Sequence, residues 1–155
     1  MSVRIQDAPF DAGHEMEILH GKDVRVGALV SFTGFVRDFN EDAPVSRLTL
    51  EHYPGMTEKA LGQLEAEARR RWNLQEVSII HRVGEMAPGD PIVLVCVTSA
   101  HRGEAFQACE FLMDALKTRA PFWKKEITPE GARWVDARQS DDDAAARWQE
   151  PRKSH

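Results

Sequence analysis

The chain has 155 residues and a formal net charge of −5, with 42% hydrophobic and 29% charged residues. Its length suits a single domain, and its ordinary balance of apolar and charged residues excludes collagen-like, low-complexity and disordered classes. The negative charge argues against nucleic-acid binding through a generally basic surface, but it is compatible with a local basic pocket. No apolar run approaches the roughly 20 residues that cross a bilayer, and the N-terminus lacks the features of a signal peptide. We therefore expect a cytoplasmic protein.

Hydrophobic periodicity predicts both strands and helices along the chain. Apolar residues at every second position, or in one unbroken run, predict strands over 24–36, 46–53, 77–83, 92–98, 122–127 and 131–137. Apolar residues at helical spacing predict helices over 11–20, 57–73 and 104–117. We expect a bulge at Gly34, a hairpin loop at 40–44 and a second hairpin through 86–90. This order predicts one α+β domain over residues 1–148, with two long helices packed on a largely antiparallel sheet, and a short flexible tail at 149–155.

The cysteine and histidine spacings predict neither a metal site nor a bound cofactor. Cys96 and Cys109 are far apart, form no CxxC motif and lie in apolar stretches, which indicates small buried side chains. The histidines form no HxH or HExxH pattern, and the glycines match no nucleotide-binding loop. A GxSxG elbow is also absent, so a hydrolase triad has no anchor.

Cations concentrate around the end of the second long helix. Positions 115–125 hold Lys117, Arg119, Lys124 and Lys125 and no acidic residue. One interpretation is that Lys117 and Arg119 only stabilise the helix C-terminus against the helix dipole. The other is a site for an anionic ligand.

A second polar group favours the anion site. The segment 99–103 joins the predicted central strand to this helix, and the free N–H groups of a helix start favour phosphate or carboxylate. Arg102 can clamp an anion through two hydrogen bonds, and His101 can donate or carry a proton.

Five segments occur in an order that is typical of one protein family: VSFTGFVRD at 30–38, LEHYPGM at 50–56, IHRVG at 80–84, AHR at 100–102 and LKTRAPFWKKE at 116–126. Together they resemble the large, catalytic subunit of molybdopterin synthase, and the resemblance extends over about residues 3–148. It implies an enzyme of molybdenum cofactor biosynthesis that transfers two sulfurs to cyclic pyranopterin monophosphate and so makes molybdopterin.

The resemblance also implies partners. The sulfur donor would be a small ubiquitin-like subunit with a C-terminal Gly-Gly thiocarboxylate, whose tail threads into a pocket of the large subunit. Two large subunits would pair as a homodimer at the centre of a heterotetramer. Because the partner brings the sulfur, the chain needs no cysteine nucleophile of its own. This is consistent with the prediction that both cysteines are buried.

By the same resemblance, Lys117 would be the leading catalytic residue, transferring a proton or transiently taking the acyl group of the partner. Lys124 would assist the attack of sulfur. His101 and Arg102 would bind the substrate phosphate, with Arg37 at the pocket wall. Further expected substrate contacts are Phe32 and Met113 beside the pterin, and Arg138 reaching across the dimer.

A different class of function stays open at this point, namely a non-catalytic oligomeric α+β module that binds a phosphorylated small molecule. Both functions use Arg102 and the helix start, but only the enzyme needs Lys117 and Lys124 for turnover. Four expected site residues are also compatible with a structural role: Phe32 and Met113 as core residues, and Arg37 and Arg138 as surface ion pairs.

Overall fold

The structure, a computed structural model, describes residues 2–40, 43–135 and 139–149. Its helices are α1 (Ala12–His20), α2 (Met56–Arg71), α3 (Arg102–Arg119) and α4 (Gln139–Ala146). Its strands are β1 (Val3–Gln6), β2 (Ala28–Phe35), β3 (Phe39–Asn40), β4 (Ala43–Pro44), β5 (Arg47–His52), β6 (Val77–Arg82), β7 (Gly84–Met86), β8 (Pro91–Ser99), β9 (Phe122–Thr128) and β10 (Gly131–Val135).

The strands form two four-stranded sheets and a short ribbon. The first sheet has the order β1-β6-β8-β2, and the second has the order β10-β9-β5-β7. Every pairing is antiparallel except that of β1 with β6. The α+β class with largely antiparallel strands is therefore confirmed, although the strands divide between two sheets.

The apolar stripes of the two long helices are buried as the periodicity predicts. In α2 the buried residues include Leu61, Leu64 and Ala68, and in α3 they include Ala108 and Leu112. Strand β8, the predicted central strand, is buried along almost its whole length between β6 and β2. Fully burying one such leucine is worth about 1.5–3 kcal/mol, so these stripes hold the helices on the core.

The first predicted strand begins later than expected, and its predicted hairpin is only partly right. Asp23 forms a turn in which its carboxylate accepts from the Arg25 backbone N–H at 2.9 Å, so Val24 is 98% exposed and the strand starts at Ala28. Residues 40, 43 and 44 do belong to a hairpin, but to that of β3 and β4, since β2 and β5 lie in different sheets. Positions 41 and 42 of the predicted loop lie outside the described residues. The bulge near Gly34 and the hairpin of β6 and β8 are both confirmed.

Strand β1, near the N-terminus, packs on the first sheet, and the segment after α4 packs on helices α2 and α3. Strand β1, which the periodicity does not predict, pairs with β6 at one edge. After α4, Trp148 makes edge-on ring contacts with Trp72 and Phe111 at 5.7 Å, while Arg147 pairs with Asp114 of α3. Of the predicted tail at 149–155, only Gln149 lies within the described residues.

The direction of α3 decides where the polar residues lie. Only Ala100 and His101 separate β8 from α3, so the helix turns back along the sheet on which it packs. The C-terminal end of α3 therefore lies at the end of the sheet where β8 begins and β2 ends. Phe35 of β2 pairs with Pro91 of β8 at that end. No helix among the described residues is both long and apolar enough to cross a membrane.

Candidate active site

The end of α3 and the start of β9 place two lysines close to one buried histidine. Lys117 is exposed in the last turn of α3, which ends at Arg119 with Ala120 as its C-cap, so the helix stops before Pro121 as the sequence predicts. Lys124 is half-buried on β9, opposite the buried Leu50 of β5. The positive charges of both lysines act on His81 of β6, which is only 5% exposed.

Lys124 and its neighbour Lys125 point to opposite faces of the second sheet. The inner face of β9 carries the buried Glu126 at the alternate position from Lys124. Lys125 lies on the outer face, where its Nζ is 5.9 Å from the ring centre of Trp134. The inner position thus falls to Lys124, the lysine that the family motif favours.

His81 is a neutral side chain in a cationic setting. Its ring stacks on that of Phe122, with centroids 4.0 Å apart and planes inclined by 22°, and its Nδ1 donates to the Arg82 carbonyl oxygen at 2.9 Å. Burial lowers the pKa of His81 from 6.5 to about 4, and repulsion by Lys124, Lys117 and His52 contributes in the same direction. The ring therefore stays uncharged at neutral pH.

A chain of polar contacts ties Arg37 to the inner face of the second sheet. Arg37 Nη2 lies 3.4 Å from Asn40 Oδ1, and Asn40 Nδ2 donates to both oxygens of Glu126, at 3.1 and 3.2 Å. Arg133 of β10 pairs with Glu126 at 3.2 Å and donates to the Asn40 carbonyl oxygen at 2.7 Å. Since Glu126 and Lys124 share one strand face, this network brings the Arg37 guanidinium to the same region of the molecule.

Sequence reasoning missed four members of this region: His81, Asn40, Glu126 and Arg133. Glu126 carried one usable signal, because its spacing of two from Lys124 puts both on one face of a strand. Asn40 carried none, since its contact with Glu126 joins positions 86 residues apart.

Three further expected residues lie toward the same end of α3. Met113 is buried one turn before Lys117. Phe32 is 42% exposed on β2, and a Cβ added at Gly34 would lie 2.9 Å from Val93 Cγ1 and 3.3 Å from the Phe32 ring, so the glycine leaves room for both side chains. Arg37 lines an open groove of about 690 Å³ with Phe39 and the turn at 88–89.

His101 and Arg102 lie at the opposite end of α3 and are both exposed. His101 is the N-cap residue, and its backbone N–H donates to Ser99 Oγ at 3.3 Å. Fifteen residues separate Arg102 from Lys117, which at 1.5 Å per residue is about 22 Å along the helix. One chain therefore does not bring the expected phosphate ligands beside the lysines. Arg138 lies outside the described residues.

The cysteines are inert thiols, and the described residues hold no metal cluster. Burial raises the pKa of Cys96 to about 12 and that of Cys109 to about 11, so neither forms a thiolate at neutral pH. Across residues 2–40, 43–135 and 143–149, no three His, Cys, Asp or Glu side chains are grouped to hold a metal ion.

Fold and site together define an α+β protein whose lysines, arginines and aromatic side chains suit an anionic, planar small molecule. A family model described as MoaE protein matches residues 5–119, and the chain belongs to that family. It is 58% identical to a molybdopterin synthase catalytic subunit of Pseudomonas aeruginosa, over 97% of this chain and all of that one. It is 61% identical to the Escherichia coli protein of the same name, over 90% of this chain and 93% of that one. A solved MoaE protein from Burkholderia ambifaria superposes with a TM-score of 0.81 at 54% identity, covering 95% of this chain and 97% of that one.

Proposed function

We propose that this chain is the catalytic subunit of a molybdopterin synthase, a sulfurtransferase of molybdenum cofactor biosynthesis. The sulfur comes from the C-terminal thiocarboxylate of a small ubiquitin-like partner, and the acceptor is cyclic pyranopterin monophosphate. The observation that carries the proposal is that the buried His81 stacks on Phe122, which lies between Lys117 in the last turn of α3 and Lys124 on the same face of β9. The name shared by the relatives, catalytic subunit, supports both the chemistry and the existence of a further subunit.

The inert cysteines support a donor that brings its own sulfur. A sulfurtransferase that carried persulfide on this chain would need an accessible, acidic thiol, and Cys96 and Cys109 are buried with raised pKa values. Each transfer forms a C–S bond at a substrate carbon in place of a C–O bond, whose oxygen leaves with a proton. The C–S bond to the acyl group of the partner breaks as water adds to that acyl group and leaves a carboxylate. No oxidant or reductant is required.

The two lysines have different surroundings and therefore different roles. Lys117 is exposed, so the tail of a partner can reach its amine, which transfers a proton or transiently takes the acyl group. Lys124 is half-buried two residues from Phe122 on the same face of β9, where its ammonium stabilises negative charge that develops on the reacting atoms. Arg37 supplies a further positive charge to the pocket wall, and Phe32 and Met113 pack near the pterin.

His101 and Arg102 can bind the phosphate of a substrate held at the lysines only if they come from a second copy of the chain. About 22 Å of helix separates Arg102 from Lys117, a span longer than the substrate. We infer that the His101 and Arg102 side chains of one subunit complete the lysine site of the other, as Arg138 is also expected to do. Pairing of two copies is the oligomeric state that the family resemblance implies.

Single-turnover formation of molybdopterin tests the lysines, with the thiocarboxylated partner in excess. We expect Lys117→Ala and Lys124→Ala to lower the rate by about 100-fold or more while folding is retained. Lys125→Ala is the matched control, since it removes the same charge from the outer face of the same strand. Product from wild type and equal rates in all three variants would contradict the lysine roles. No product from wild type would favour the phosphate-binding module instead.

Mixing two inactive variants tests the shared site. If Arg102 acts on the neighbouring subunit, a mixed dimer of Arg102→Ala and Lys117→Ala chains contains one intact site. Random exchange between equal amounts of the two should then restore about a quarter of wild-type activity. Activity that stays at the level of the separate variants would place Arg102 in the site of its own chain, or outside the site altogether.

Arg102→Ala alone should weaken substrate binding by about 1.5–3 kcal/mol, the range for charge-assisted hydrogen bonds.

A further inference from the structure

His81 is a buried polar residue beside the lysines that the proposed chemistry does not use. Its ring contacts Phe122 face to face at 4.0 Å, and its Nδ1–H is satisfied by the Arg82 carbonyl oxygen at 2.9 Å. Nδ1 must carry the proton in this contact, because a carbonyl oxygen only accepts. The imidazole is thus fixed both in orientation and in tautomer.

Phe122 stands between the two lysines along the chain. Helix α3 ends at Arg119 with Ala120 as its C-cap residue, and β9 begins at Phe122 itself. Pro121 has no N–H, so this junction has few backbone hydrogen bonds. They include the Ala120 N–H to the Leu116 carbonyl oxygen at 3.4 Å and the Phe122 N–H to the Ala120 carbonyl oxygen at 3.0 Å, and Thr57 Oγ1 donates to the Pro121 carbonyl oxygen at 3.0 Å. Phe122 thus lies where β9 leaves the helix, and its stack on His81 holds the ring there.

Phe122 and Lys124 lie on the same face of β9. Their partners on β5 are His52 and Leu50, and successive residues on one strand face are about 7 Å apart. A shift of the Phe122 ring would consequently move the Lys124 side chain relative to Lys117.

We propose that His81 is a positioning residue, which holds Phe122 by ring stacking and so keeps Lys124 at its working distance from Lys117. The inference rests on the proposed function for its catalytic consequence. His81 acts through the packing of its ring and carries no charge. The charges of Lys124 on β9, Lys117 on α3 and His52 on β5 all disfavour a protonated ring at this position. A cationic ring at this place would repel both lysines, and the lowered pKa of His81 keeps the ring neutral.

Two substitutions separate stacking from hydrogen bonding. His81→Phe keeps a flat, uncharged ring and loses the Nδ1 donor, whereas His81→Asn keeps a donor and loses the ring. We expect His81→Asn to lower kcat by about 10-fold to 100-fold with KM within about threefold, since small displacements of reacting groups cost that much. His81→Phe should stay within about threefold of wild type. Phe111→Leu, in the distant cluster with Trp72 and Trp148, is the control for lost stability, and its kcat should not change.

A second readout does not depend on turnover. In protein labelled with ¹³C-lysine, the Lys124 side-chain NMR signal should move in His81→Asn and stay in place in His81→Phe, while the Lys125 signal stays in both. Wild-type kcat in His81→Asn, an equal loss in His81→Phe, or an unmoved Lys124 signal in His81→Asn would each overturn the inference. Absence of product from the wild type, with the NMR result as expected, would refute the proposed function and leave the positioning of Lys124 by His81 standing.

Discussion

Acid should destabilise this fold through His81, and the size of the effect follows from its burial. In the unfolded chain an ordinary histidine has a pKa of 6.5, whereas in the folded protein burial lowers the pKa of His81 to about 4. Between these values the unfolded state binds a proton that the folded state does not, so stability falls as the pH falls. Each tenfold difference in proton affinity is worth about 1.36 kcal/mol, which makes the full loss about 3 kcal/mol below pH 4 and about 2 kcal/mol at pH 5.

Urea unfolding of wild type and His81→Phe, followed by tryptophan fluorescence between pH 7.5 and pH 4.5, measures this loss. Phenylalanine does not titrate, so the difference between the two free energies of unfolding isolates His81 from the carboxylates and the other histidines. Protein concentration is held constant, because association with a second copy would shift both curves. We expect the difference to change by about 2 kcal/mol between pH 7.5 and pH 5 in favour of the variant. A difference that does not vary with pH would refute the assignment of a buried, neutral ring.

Two other predictions concern packing. Cys96 and Cys109 should resist alkylation in the native protein and both react in denaturant, since burial raises their pKa values to about 12 and about 11; labelling of either in the folded protein would contradict this. Gly27→Ala should lower the free energy of unfolding by about 1–3 kcal/mol, because the added Cβ would lie 2.1 Å from the Ala100 carbonyl oxygen. Gly62→Ala is its control, since nothing lies within 4 Å of the new Cβ in α2, and it should stabilise the helix by up to about 1 kcal/mol. Equal effects of the two glycine substitutions would refute the steric argument.

The sequence predicts best where the cause of structure is local. In α3 the helical spacing predicts Ala105, Ala108 and Leu112 as buried, and they are, because one face of a helix must meet the sheet. The end at Ala120 follows from the steric effect of Pro121 on the preceding residue. The start of β2 illustrates the limit even of local patterns: alternation continues back through Val24, but the Asp23 side chain bonds the backbone into a turn.

Local sequence patterns do not predict contacts between distant parts of the chain. Periodicity shows that a segment is a strand without showing which strand it joins, so the pairing of β5 with β9 in a second sheet was not predictable. The same holds for the Asn40 contact with Glu126 and for the stack of His81 on Phe122. Strand alternation did require that only one of Lys124 and Lys125 face inward, and sheet pairing then decides that it is Lys124.

The length of α3 links the architecture to the chemistry. An 18-residue helix that packs back along β8 puts His101 and Arg102, the expected phosphate ligands, at one end of the strands and Lys117 at the other end. Such a helix can serve two sites at once, giving His101 and Arg102 to one and Lys117 to the next, provided that two copies pair so that unlike ends meet. Under the proposed sharing, the site would form only in the assembled protein, and an isolated subunit with a correct fold would hold half of each site. Dissociation of the two copies should therefore abolish turnover. It should leave the arrangement of Lys117 and Lys124 unchanged, because these lysines and His81 all belong to one chain.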